Sequence, residues 1–211
     1  LASLGIDLTK QGRWAVITGA TDGIGKAFAI ALASKGLDIV LISRSLIKLK
    51  YVETEIKERY GVKTRIVVAD LTEGQEVYSK IAKATEELEV RSIIEILQRY
   101  YLTIITRIIL PNMMKRRKGV IINVSSILGM NFVCPYLTTY AATKAYIIKF
   151  TSNLAVELAQ SGITVQCIAP GPVATKMIKI KLITKIFLKH KKHFLRKMIK
   201  EQEQEQEKDM K

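Results

Sequence analysis

The chain has 211 residues, 48% of them hydrophobic, with 34 Lys/Arg against 19 Asp/Glu for a formal charge of +15. This length and apolar content suit one well-buried domain and exclude a chain too polar to fold. The excess charge is uneven: residues 176–200 hold ten Lys/Arg and no Asp/Glu, and Lys115 to Lys118 form a second cluster. That points to an anionic surface or a solvated tail rather than to nucleic acid.

In chain order, an apolar run from Trp14 to Ile17, within a strand predicted over 14–18, ends in a loop with glycines at 19, 23 and 25, and a helical pattern follows from Ile24 to Lys35. Strand, glycine turn and helix in that order let a backbone approach a pyrophosphate at a helix N-terminus. The spacing Gly-x3-Gly-x-Gly is a relative of the dinucleotide fingerprint, and an ordinary glycine-rich turn is the alternative. Strand Asp38–Ser43 is continuously apolar over most of its length, as expected where both faces are buried. A helix is predicted over 46–60, closed by Gly61, then a strand over 64–69 ending before Asp70, and a helix over 73–88. Residues 92–117 have helical spacing interrupted or kinked at Pro111. Strand 120–125, helix 137–160 and strand 164–169 follow, the last leading into Pro170-Gly171-Pro172. Residues 1–175 form the expected nucleotide-binding domain. Residues 176–211 form a basic amphipathic tail with a low-complexity end, EQEQEQE.

Alternating strands and helices imply a Rossmann-like, doubly wound parallel sheet with helices on both faces and the nucleotide across the carboxyl ends of its strands. An NAD site usually has a carboxylate after strand 2. Here Ser43-Arg44-Ser45 stands there, so Arg44 is expected to clamp a 2′-phosphate, which favours NADP(H); a surface arginine is the alternative. Tyr140 and Lys144 lie one turn apart on one helix face, where an ammonium favours the phenolate. A strand ending in Ser125-Ser126 precedes them and one ending in Pro170-Gly171 follows. Cys134 and Cys167 have no framework spacing, which fits a reducing environment. His190 and His193 sit in the basic tail without zinc-ligand spacing, so no metal site is expected. There is no run of 18 apolar residues of the kind that spans a bilayer, although a chain beginning at Leu1 says little about an anchor.

Taken in order, TGATDGIG, the serine before YAATK, and PGPVAT resemble the short-chain dehydrogenase/reductases. More narrowly, GRWAVITGATDGIGKAFA, VLISRS and NVSS with YAATKA resemble the 17β-hydroxysteroid dehydrogenase type 12 and type 3 branch, over about residues 12–90 and 92–178. The resemblance implies an oxidoreductase of the endoplasmic reticulum membrane that reduces a lipid keto group, in a 3-oxoacyl-CoA or a 17-ketosteroid. It implies that Gly19, Thr21, Gly23, Ile24 and Gly25 line the phosphates, that Ser43 and Arg44 face the ribose phosphate, and that Asp70 sits at the adenine. Val173 and Thr175 would sit at the nicotinamide end. Tyr140 would be the proton donor, Ser126 would bind the carbonyl, and Lys144 would hold the nicotinamide ribose and tune Tyr140.

The departures from that pattern are specific. Leu88-Glu89-Val90 runs straight into Arg91-Ser92-Ile93, so the family's strand 4 with its Asn-Asn-x-Gly motif is expected to be absent. Strand 120–125 is then expected to pair directly beside strand 14–18. The fourth catalytic position falls on Gln98, Ser126 and Tyr140 stand one residue further apart than expected, and the family's last strand is not recognisable after Met177. An active reductase, a nucleotide-binding pseudoenzyme and an inactive splice variant or fragment are the competing readings. The candidate partners are a lipid-like carbonyl substrate, a second copy of the chain, and an anionic membrane surface through 177–200. There Ile180, Ile183, Phe187, Phe194 and Met198 mark one apolar stripe that could instead pack on the domain.

Overall fold

The computed structural model describes residues 13–71, 73, 76–95, 99–130, 136–171 and 173. The chain divides into two units, Leu1–Gly171 and Pro172–Lys211, and all described residues except Val173 belong to the first. Its elements are β1 (Trp14–Thr18), α1 (Gly23–Ala33), β2 (Asp38–Ser43), α2 (Leu46–Tyr60), β3 (Thr64–Val68), α3 (Glu76–Thr85), β4 (Val90–Glu95), α4 (Arg99–Arg116), β5 (Gly119–Val124), a 3-10 turn (Ile127–Gly129), α5 (Thr138–Glu157) and β6 (Ile163–Ile168).

Six parallel strands form one sheet in the order β3-β2-β1-β4-β5-β6. Alternate side chains enter two separate cores. One face packs Val16, Val40, Ile93 and Ile121 against Ile81 of α3, Ile105 of α4 and Leu154 of α5. The other packs Ile17, Leu41, Ile94 and Ile122 against Ala29 and Leu32 of α1 and Leu49 and Ile56 of α2. Burial on both faces is why β1 and β2 are near-continuous runs of apolar residues, as parallel strands in doubly wound folds are.

Local chemistry sets the helix ends. Ser45 caps α2 by accepting from the Lys48 N–H at 3.4 Å, and Gly61 ends it in the left-handed region at φ 64°. The buried Asp38 carboxylate clamps the opposite end of the sheet, accepting from Arg13 Nε at 2.5 Å and from the Lys63 N–H at 2.7 Å. Helix α4 runs through Pro111, so the proline does not interrupt it.

The middle of the sheet corrects the sequence reading. The fourth strand is not absent: Val90–Glu95 lies between β1 and β5, so β5 does not pair with β1. Residues 92–95, predicted as helix, are strand. Val90, Ile93 and Ile94 suit a pleat buried on both faces, and a gap would leave the inner edges of β1 and β5 with unpaired N–H and C=O groups at about 1–3 kcal/mol each. The fit is imperfect. Trp14 pairs with Val90 but Ala15 with Ser92, so the register slips at Arg91. Arg91, Ser92 and Glu95 are buried at 2%, 0% and 0% exposure. The expectation about the last strand and the tail lies outside the described residues.

Candidate active site

The carboxyl ends of β1 and β2 carry the glycine loop. Gly19 and Gly23 have φ of 63° and 51°, in the left-handed region that glycine enters without a Cβ penalty. A Cβ on Gly25 would lie 2.3 Å from the Gly19 carbonyl oxygen, so a glycine there lets α1 pack directly on the loop. Asp22 caps α1 by accepting from the Gly23 N–H at 2.8 Å. Thr21 Oγ1 and Ser43 Oγ lie 2.9 Å apart and tie the loop to the end of β2. Ile24 is half-buried against the core.

Arg44 follows β2 with its side chain 77% exposed, and its guanidinium stands 3.9 Å from the Asp70 carboxylate. At that length and exposure the pair holds Arg44 weakly and leaves its charge available to an anion. Loop, helix N-terminus and exposed arginine together fit a nucleotide with a terminal phosphate near β2. The Gly25 approach is the most demanding part of that fit.

The second cluster is built on β5, β6 and α5. The Ser125 N–H donates to the Ile168 carbonyl at 2.7 Å and the Ile127 N–H to the Pro170 carbonyl at 3.1 Å, so the ends of β5 and β6 are tied. Ser126 is buried, and its Oγ accepts from the Leu128 N–H at 3.3 Å. Its hydroxyl hydrogen therefore remains to be donated. A Cβ on Gly129 would lie 2.5 Å from the Lys144 carbonyl carbon, so the glycine lets this turn press against α5 at Lys144. Ser125 Oγ donates to the Lys144 carbonyl at 2.7 Å, and Lys144 Nζ donates to the Val124 carbonyl at 3.0 Å. The same ammonium stands 5.8 Å from the centroid of the Tyr140 ring. Burial pulls the Lys144 pKa below the ordinary lysine range, while the neighbouring Cys167 works in the opposite direction. The Cys167 thiol is itself pushed up by burial.

The Ser125 and Gly129 contacts thus set the turn that begins at Ser126 against α5 at Lys144, and Tyr140 is exposed. Val173 is exposed and belongs to the second unit; Thr175 and Gln98 lie outside the described residues. The sequence reading passed over three contributors. Asp22 is legible as a capping residue before an apolar run, whereas the role of Gly129 depends on its contact with α5. Asn123, whose Nδ2 donates to Thr151 Oγ1 at 3.0 Å, leaves no such local signal.

The sequence profile described as short chain dehydrogenase matches residues 13–99 and 89–184. The chain belongs to the short chain dehydrogenase family. The two matched stretches overlap at 89–99, around β4, where the sequence departs from the family pattern. Among similar proteins, the very-long-chain 3-oxoacyl-CoA reductase of Anas platyrhynchos is 41% identical over 195 residues, 80% of this chain and 62% of that protein. The inactive hydroxysteroid dehydrogenase-like protein 1 of Homo sapiens is 38% identical over 199 residues, 81% of this chain and 59% of that protein. The chain therefore spans about three fifths of the length of these relatives. Among solved structures, L-sorbose reductase from Gluconobacter frateurii, complexed with NADPH and L-sorbose, superposes with a TM-score of 0.74 at 27% identity, over 81% of this chain and 73% of that one. Among the described residues no helix is long and apolar enough to cross a membrane, and no group of three or more His, Cys, Asp or Glu could hold a metal ion.

Proposed function

We propose that this short chain dehydrogenase binds NADPH and reduces the keto group of a lipid substrate, a 3-oxoacyl thioester or a 17-ketosteroid. The observation that supports it most is the arrangement at α5: Lys144 held at the Val124 carbonyl at 3.0 Å, its ammonium beside the Tyr140 ring, and Ser126 on the turn packed against that helix. When bound, NADPH supplies a hydride to the carbonyl carbon. Gly19, Thr21, Gly23, Ile24 and Gly25 hold its phosphates, Ser43 and Arg44 its 2′-phosphate end, and Asp70 the adenine side. By the family resemblance, Val173 and Thr175 would fall at the nicotinamide. Ser126 donates its remaining hydroxyl hydrogen to the substrate oxygen and fixes its direction. Tyr140 gives its phenolic proton to that oxygen as negative charge develops there. The Lys144 ammonium favours the resulting phenolate and hydrogen-bonds the nicotinamide ribose.

A lipid substrate is supported by the exposed apolar side chains of Met130, Tyr136 and Leu137 on the segments flanking Tyr140, and by the name of the Anas platyrhynchos relative. The family resemblance supports the endoplasmic reticulum membrane as the site of action, the basic amphipathic sequence of 177–200 supports a surface contact there, and a second copy of the chain is a further proposed partner. Liposome sedimentation with phosphatidylserine vesicles tests the surface contact: binding at low salt should be lost at high salt and on deleting 177–211.

A second reading, NADPH binding without turnover, is favoured by the similarity to the inactive human protein and by Gln98 at the fourth catalytic position. One assay separates the two. NADPH oxidation with a very-long-chain 3-oxoacyl-CoA or a 17-ketosteroid, abolished by Tyr140→Phe, supports the reductase. NADPH binding with no oxidation in the presence of either substrate supports the second reading.

A further inference from the structure

Two buried polar side chains without a full set of partners stand on adjacent strands in the middle of the sheet. Glu95, the last residue of β4, and Asn123 of β5 are register partners on adjacent parallel strands, and both are fully buried. They point to the same face. Their neighbours Ile93 and Ile121 enter the core beneath α4 and α5, and Thr106 of α4 and Thr151 of α5 hydrogen-bond Glu95 and Asn123 respectively. Each residue has one satisfied atom and one without a partner. Thr106 Oγ1 donates to Glu95 Oε1 at 3.2 Å and Asn123 Nδ2 donates to Thr151 Oγ1 at 3.0 Å, while Glu95 Oε2 and Asn123 Oδ1 have none. Both of these atoms are acceptors if the carboxyl is ionised, and two acceptors repel. A neutral carboxyl turns one of them into a donor and resolves both at once.

We propose that Glu95 is a neutral positioning residue whose Oε2–H donates to Asn123 Oδ1. It closes a buried row, Thr106–Glu95–Asn123–Thr151, that fixes the carboxyl end of β5. The terminal carboxyl torsion is soft, which lets Oε2 orient toward the register partner Asn123. The row matters to the site because β5 continues into the Val124 carbonyl that holds Lys144 and into Ser126; this part rests on the proposed reductase reading. Among the described residues no salt bridge to Glu95 is formed, and its one hydrogen-bond partner is the neutral Thr106. Lys144 on α5 is engaged with the Val124 carbonyl, and Arg107 on α4 and Lys149 on α5 are exposed. Arg116 donates to the Val90 carbonyl at the other end of β4, and buried Arg91 lies four residues upstream. Thr18 on β1 donates to the Ile94 carbonyl. Burial pushes the Glu95 pKa well above the ordinary range, and the Thr106 hydrogen bond only partly opposes it.

The linkage follows from that direction. Between the unfolded glutamate pKa and the raised folded value, the folded chain binds one more proton than the unfolded chain. Stability therefore falls as pH rises through that window, with the folding constant losing about tenfold per pH unit. Glu95→Gln keeps the same two hydrogen bonds, with its amide donating to Asn123, and carries no proton to lose.

The test uses the whole chain. Infrared spectra of wild type at neutral pH are expected to show a carboxylic acid C=O band that is absent in Glu95→Gln and displaced in Asn123→Leu. Urea unfolding across pH is expected to give curves that converge in acid and separate as pH rises, with Glu95→Gln the more stable. NADPH oxidation by Glu95→Leu should fall while NADPH affinity holds, with Glu95→Gln restoring the rate. Absence of the acid band at neutral pH overturns the proposal, and so do parallel stability curves for wild type and Glu95→Gln. Wild type that never oxidises NADPH would refute the reductase reading alone, because the band and the stability curves decide the row without turnover.

Discussion

Residues 14–68 and β4 both supply strands to the same buried sheet, from very different materials. β1 offers Ala15, Val16 and Ile17 and β2 offers Ile39 to Ile42, all at 0–1% exposure. Their turns, caps and glycines agree with that arrangement at every level. β4 is equally buried but places Arg91, Ser92 and Glu95 in the sheet interior, with a register slip at its start. The first region is specified by its own sequence, and β4 by the demand of β1 and β5 for a pairing partner. Consistency across levels marks residues 14–68 as the robust part of the described residues, and the conflict within β4 marks a weak one.

The largest effect expected on this contrast is from Tyr140→Phe, which should lower reductase turnover by about 10²–10⁴-fold. NADPH affinity by fluorescence titration should stay within about twofold, because the cofactor contacts of the first half remain. Loss of binding together with turnover would show that cofactor binding by residues 14–68 depends on α5.

Next is Arg44→Ala. A hydrogen bond to a charged group is worth about 1.5–3 kcal/mol, so NADPH affinity should fall roughly tenfold or more while NADH affinity holds. Titration of both cofactors measures it, and an unchanged preference would remove Arg44 from the phosphate site.

Gly25→Ala tests the robust half where it is tightest. The added Cβ would meet the Gly19 carbonyl oxygen at 2.3 Å, and relief of such overpacking costs about 1–3 kcal/mol. Urea unfolding should show that loss, with weakened NADPH binding.

Ser92→Ala should give the smallest change, with the opposite sign. Ser92 Oγ is buried without a hydrogen-bond partner, so deleting it should stabilise the chain by up to about 1 kcal/mol. Destabilisation by the same change would mean that β4 is better satisfied than its polar residues indicate.

These two regions also explain what could be read in advance. β1, α1, β2 and α2 follow from local rules: apolar runs, the glycine loop, the Ser45 cap and the Gly61 terminator. Helix α5 follows from period and carries Tyr140 and Lys144 onto one face. β4 does not follow, because 92–117 has helical spacing and Arg91, Ser92 and Glu95 argue against a central strand. Its conformation comes from partners distant in sequence, and no local window contains them. The same limit hid Gly129, whose role is visible only once α5 lies against it, and the Glu95–Asn123 pairing, which depends on β4 being a strand. Within the site, Ser126, Tyr140 and Lys144 were legible as an ordered set of residues; the backbone carbonyl of Val124 that holds Lys144 was not.

The most direct measurement of the central claim is a single turnover with stoichiometric chain, a 3-oxoacyl-CoA, and NADPH deuterated at its transferable hydrogen. Mass spectrometry of the product is predicted to show one deuterium on the new carbinol carbon with wild type, and at least about a hundredfold less alcohol in the time of one wild-type turnover with Tyr140→Phe. Wild type that binds NADPH and yields no deuterated alcohol, from either the thioester or a 17-ketosteroid, would contradict it.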